Sequence, residues 1–182
     1  MNFKLRPRPE CERTVIVDGP MCELPAKARA IISAGLFPVA AEIVSPSFAA
    51  LLGIATNTPV MLVRFAGNEV AVKYQVERTL ALSDDGGGEV IVEDEQVWRQ
   101  IAAAPLQYSS GWYAGVLPSE VAEICKRINV ADAVWQAGAA DGRIRMLSGN
   151  VENPVKFRGN AEFLMDRVKQ QLDPTNKFGV YR

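Results

Sequence analysis

A chain of 182 residues, 48% apolar and 23% charged with a formal net charge of −1, has a soluble globular balance and room for one ordinary domain or two small fused ones. Near-neutral charge argues against a nucleic-acid surface, which needs clustered cations, and no apolar run reaches the length of a membrane span. Histidine is absent, which removes Ser-His and Cys-His nucleophiles and most zinc sites and leaves acid–base work to carboxylates, lysine, tyrosine or a cofactor.

The N-terminus from Met1 to Pro9 lacks the apolar core of a secretory signal. The expected location is the cytoplasm, with any membrane attachment running through partner subunits. Cys11, Cys22 and Cys125 form no C-x-x-C pair and read as reduced thiols.

In chain order, the first strand is expected over Thr14–Asp18, a β-branched run. Leu24, Ala28, Ile31 and Ile32 form a helical stripe that Gly35 closes. A strand follows over Val39–Val44, then a short helix over Ser47–Leu52. Val60–Phe65 is the clearest strand, opened by Pro59 and closed by Gly67-Asn68. Glu69–Leu82 fits two periods at once. Val70, Val72, Tyr74 and Val76 alternate as in a strand, whereas Val72, Val76 and Leu80 make a helical stripe. The strand–helix rhythm around it favours a helix. Ser83–Gly88 reads as a loop and Glu89–Glu93 as a strand.

A connecting helix with Val97, Trp98 and Ile101 on one face is expected to end before Pro105. Gln107–Leu117 reads as a strand. Pro118-Ser119 opens a helix with Val121, Ile124, Cys125 and Ile128 inward. Ala133–Ala137 and Arg143–Leu147 flank the turn sequence Ala139–Gly142 as a β-hairpin. Asn160 caps a closing helix with Ala161, Leu164, Met165, Val168 and Leu172 on one face, stopped by Pro174. Lys177–Tyr181 is a candidate last strand.

The pattern is β-α-β-β-α-β over residues 1–93 and, after the connecting helix, β-α-β-β-α with a further strand over 94–182. This is an α+β fold of duplicated ferredoxin-like units, an antiparallel sheet with helices on one face and the other face free for ligands and partners.

Three segments carry a family resemblance. Lys169, Asp173, Pro174, Phe178 and Gly179 fit the helix-to-tail frame that closes FAD-linked oxidases of the vanillyl-alcohol-oxidase type. Phe3-Lys-Leu-Arg-Pro-Arg-Pro-Glu10 resembles the crossover from the FAD-binding domain into the cap domain of those enzymes, and the glycine-closed strand Val60–Gly67 fits as well. The chain is most similar to the small FAD-binding subunits of bacterial glycolate oxidases.

The resemblance implies the substrate-side cap domain of an FAD-linked oxidoreductase acting on a small 2-hydroxy acid. Its partners would be an FAD-binding domain or subunit and other oxidase subunits, and the isolated chain would be inactive. No glycine-rich phosphate loop or G-x-G-x-x-G is present, so FAD would be bound mainly outside this chain. The histidine-held metal of related dehydrogenases does not carry over. The competing expectation is a tandem ferredoxin-like module that binds a small ligand or regulates a partner.

Arg64, amid apolar strand residues, is either a rim arginine with a salt-bridge partner or a carboxylate clamp. Arg143 and Arg145 share a strand face, as a second clamp or as a solvated hairpin face. Trp112 and Tyr113 point to opposite faces, one into the core and one toward the flavin domain. Asn176, in the closing tail, joins them as an implied interface residue.

Overall fold

In the computed structural model, residues 8–83, 89–91, 94–108, 111–155, 167–171 and 173 are described. Seven strands, β1 (Cys11–Val17), β2 (Ala40–Val44), β3 (Val60–Gly67), β4 (Glu89–Ile91), β5 (Trp112–Gly115), β6 (Val134–Gly138) and β7 (Arg143–Ser148), form one sheet. Their order is β4-β1-β3-β2-β6-β7-β5, and every neighbouring pair is antiparallel. The α+β expectation with an antiparallel sheet and helices packed on it is the observed architecture.

The first four strands take the β4-β1-β3-β2 order of a ferredoxin-like unit, with α1 (Leu24–Ser33) between β1 and β2 and α3 (Glu69–Leu82) between β3 and β4. The last three run β6-β7-β5, with α5 (Val121–Ile128) between β5 and β6. A seam joins the sets where Glu42, Ile43 and Val44 of β2 pair with Gly138, Ala137 and Gln136 of β6.

Strand alternation sorts side chains onto two faces. On the first, Val15, Val17, Ile43, Met61, Val63, Phe65, Trp135, Ala137 and Ile144 join α1, α3 and α5 in the larger core. Helices also cover part of the second face, where the ferredoxin-like layering leaves the sheet bare. Ile16, Val44, Leu62, Val134 and Leu147 pack there with α2 (Pro46–Leu51) and α4 (Glu95–Gln107). Both helices lie outside the βαββαβ pattern, and Leu52, Ile54 and Tyr108, just beyond their ends, pack into the same cluster.

α3 is a helix, as the strand–helix rhythm predicts. Asn68 Oδ1 accepts from Ala71 N–H at 2.8 Å, which caps its first turn, and Val72, Val76 and Thr79 are buried. α4 runs through Pro105 to Gln107 instead of ending before the proline. Its buried residues Val97, Ile101 and Ala104 are seated before Pro105, so one missing backbone bond falls in the last turn. The helix therefore takes Gln107, and β5 is only Trp112–Gly115, shorter than the strand expected over Gln107–Leu117.

Ile32 is exposed, so the inward stripe of α1 is Leu24, Ala28 and Ile31. Cys125 is in the core, where burial pushes its thiol up to about 12. Of the closing helix, 167–171 are helical, Val168 is exposed and Asp173 is buried. Asp173 N–H donates to Lys169 C=O at 2.7 Å, which closes the last turn. Asn176 and the strand expected over Lys177–Tyr181 lie outside the described residues.

Candidate functional site

The second face of the sheet carries the polar residues. On β1 and β3, Thr14 pairs with Arg64, both on the second face with Ile16 and Leu62. On β2 that face takes Glu42 and Val44. On β7 it takes Arg143 and Arg145, and on β5 it takes Tyr113, opposite Arg145. All three candidate arginines and Tyr113 thus share one face. Trp112 is on the other, where its Nε1 donates to Val151 C=O at 2.8 Å and fixes the strand.

Arg64 is tied into a network. Its Nη2 donates to Glu12 Oε2 at 2.8 Å and to Asp94 Oδ1 at 3.0 Å, and its Nε donates to Asp94 Oδ2 at 3.2 Å. Thr14 Oγ1 donates to Asp94 and accepts from Trp98 Nε1 at 2.8 Å, while the Arg64 guanidinium lies 5.8 Å from the Trp98 ring centre. This is the rim-arginine geometry, with the guanidinium engaged by two carboxylates. It anchors the N-terminus of α4 to β1 and β3. Beside it, a depression of about 470 Å3 is lined by Pro9, Glu10, Cys11, Glu12, Arg13, Asp94, Glu95 and Gln96. Four carboxylates among these residues make it a poor place for a phosphate or carboxylate ligand.

The other cluster lies at the seam. Arg143 Nη2 donates to Glu42 Oε1 at 3.2 Å, and Arg143 Nε donates to Asp141 Oδ2. Asp141 Oδ1 also accepts from Arg143 N–H at 3.0 Å. Gly138 lies between Glu42 and Arg143 along this face, so no side chain blocks the reach from β7 to β2. A Cβ at Gly138 would come within 1.9 Å of Asp141 Oδ1, so a larger residue there would push the Asp141 carboxylate out of its place beside Arg143. Gly142, at φ +76, completes the turn, and a Cβ there would meet Val116 O at 1.9 Å.

Glu42 is 13% exposed at its side chain, and its carboxyl is pushed up to about 7. Loss of solvation is the main cause. The Arg143 guanidinium pulls it back down, Asp141 pushes it up further, and Arg145 draws it down slightly. Gln136 is buried beside it, and its Oε1 has no hydrogen-bond partner. The Arg145 guanidinium lies 5.9 Å from the ring centre of Tyr113, which is 56% exposed. This corner of the second face, over β7 and β5, is accessible.

Arg143, Arg145 and Tyr113 are therefore brought together, while Arg64 stands apart with its own carboxylates. Sequence reasoning missed Glu42, Gln136 and Asp141. The signal was a lone carboxylate within the apolar run Val39–Val44 and a lone amide within Val134–Ala137. Among the described residues, no group of three or more His, Cys, Asp or Glu side chains could hold a metal ion, and no helix is long and apolar enough to cross a membrane.

Neither models of known protein families nor curated proteins match this chain.

Proposed function

We propose that this chain is the substrate-side cap of an FAD-linked oxidoreductase acting on a small 2-hydroxy acid, with FAD bound by a separate domain or subunit. The observation that supports this best is the accessible corner where Arg143, Arg145 and the exposed Tyr113 stand on adjacent strands. A guanidinium pair suits a carboxylate, and an exposed aromatic beside it suits a docking partner. The acidic depression beside Asp94 does not fit a pyrophosphate. The open corner does fit the covering of a ring held by another polypeptide.

When bound, the flavin supplies hydride acceptance. The residues of this chain orient and shield. Arg145 and Arg143 hold the substrate carboxylate, Trp112 fixes β5 from behind, and Tyr113 keeps water out of the closed site. Arg64 shapes the neighbouring wall. Asn176 belongs to the partner interface by resemblance alone.

The test is reconstitution. This chain is mixed with the polypeptide encoded next to it, or with the preceding part of the same reading frame. Association is followed by sedimentation, and flavin absorbance is followed after glycolate is added. Association, with bleaching only when both pieces are present, is the expected result. Arg145→Met should leave association intact and raise KM for glycolate by roughly 10–100-fold, the range for losing a charge-assisted hydrogen bond. If the two pieces do not associate, the cap reading fails, and a self-sufficient ligand-binding or regulatory module takes its place.

A further inference from the structure

We infer that the corner around Arg143 is a proton-linked anion site: a small carboxylate displaces Glu42 from Arg143, and Glu42 takes a proton from solvent and donates it in a hydrogen bond to Gln136 Oε1. The inference rests on the cap reading for the identity of the anion, a 2-hydroxy acid, and adds to it a coupling between binding and protonation.

Charge around Arg143 comes first. Its guanidinium already has two carboxylates, Glu42 at 3.2 Å and Asp141. A third carboxylate entering the same fork would place excess negative charge beside the largely buried Glu42 carboxyl. Asp141 is fixed by the turn, because it also accepts the Arg143 backbone N–H. Glu42 makes only the longer contact, so it is the one to yield.

The hydrogen-bonding of Gln136 comes second. Its Oε1 is buried and lacks a donor. Gln136 lies two positions before Gly138 on β6, and Gly138 is the seam partner of Glu42, so Glu42 and Gln136 are diagonal neighbours on one face. Such diagonals are about 7–8 Å apart between backbones, within reach of two long side chains. A carboxylate cannot donate to that oxygen, whereas a carboxylic acid can. One proton therefore satisfies the unpartnered amide and releases Arg143.

The remaining surroundings support the same outcome. Burial already pushes the Glu42 carboxyl up to about 7. The charged groups that face it are Arg143, Arg145 and Asp141. Arg64, on the adjoining strand β3, is engaged by Glu12 and Asp94. α2 carries no charged residue, and Glu95 and Arg99 of α4 pair with each other in solvent.

Calorimetry of the full chain with sodium glycolate tests this, in buffers of different ionisation enthalpy between about pH 6 and about pH 8. The carbon shift of the Glu42 carboxyl is followed in parallel by NMR. The expected result above neutrality is uptake of about one proton per glycolate and an affinity that falls about tenfold per pH unit. Glu42→Gln should bind with no proton uptake and with the same affinity across the range. Gln136→Leu should lower the midpoint of the Glu42 titration. Glycolate binding without proton uptake overturns the inference and leaves the cap reading standing. Failure of the full chain to bind glycolate also overturns the inference, and the cap reading is then decided by whether the flavoprotein associates. Should Glu42→Gln fail to fold, the carboxyl titration of the unsubstituted chain, with and without glycolate, decides the inference: a midpoint that glycolate does not raise overturns it.

Discussion

Glu42 gives the stability of the folded chain a pH dependence. Its carboxyl has an ordinary value of 4.5 and rises to about 7 in the fold, chiefly because burial penalises the charged form. The folded state therefore binds more protons than the unfolded state between those values. The stability from this group is fully present below about 4.5 and is lost as pH rises through about 7. The side chain is 13% exposed, so screening by solvent is small, and the full effect is on the order of 3 kcal/mol. Urea unfolding at mildly acidic and mildly alkaline pH should show higher stability on the acid side, and Glu42→Gln should flatten the profile. A wild-type profile that rises toward alkaline pH would contradict the burial argument. This residue also shows what a linear reading cannot reach. The pairing of Arg143 with Arg145 is local and follows from strand alternation. Glu42 meets Arg143 across 101 positions of chain, through a gap that Gly138 leaves.

At the scale of elements, most of the fold is legible where periodicity and punctuation agree. The hairpin of β6 and β7 and the βαββαβ rhythm of the first four strands follow from β-branched runs and from turn residues at their ends. α3 is the ambiguous segment, since alternation and helical spacing both fit Val70–Leu80. The cap decides it. Asn68 lies immediately before the helix, and its side chain satisfies a free amide of the first turn. Asn68→Ala should therefore cost about 1 kcal/mol, read as a lower urea midpoint with an unchanged slope. An unchanged midpoint would place the helix's stability wholly in Val72 and Val76. α4 departs from expectation because a proline is not an absolute stop. It costs one backbone bond and a clash with the preceding turn, and here that cost falls in the last turn, after the buried face is complete at Ala104. The cover that α2 and α4 give the second face is not legible either. Which side of a sheet a helix takes depends on contacts distant in sequence.

At the scale of the molecule, the question is whether the four-stranded and three-stranded sets behave as one body. The seam between them is only three residue pairs long. Three pairs of strand would be a weak hinge on their own, but the cores do not divide at the seam. Ile43 and Met61 on one side belong to the same buried cluster as Trp135, Ala137 and Ile144 on the other, and α1 and α5 meet above it. A shared core makes unfolding of either unit expose the flank of its neighbour, which favours a single cooperative transition. Ile43 is fully buried at the centre of the seam, so Ile43→Ala should cost roughly 2–5 kcal/mol. It should move the whole transition to lower denaturant without splitting it. Tryptophan fluorescence reports Trp135 near the seam, Trp112 on β5 and Trp98 on the opposite face, while far-ultraviolet circular dichroism reports the whole sheet. The two signals should therefore fall on one curve. Divergent curves would mean that the units unfold separately. Separate unfolding would also undermine the proton-linked exchange, because Glu42 and Arg143 stand on opposite sides of that seam and must keep their spacing for a ligand to displace one from the other.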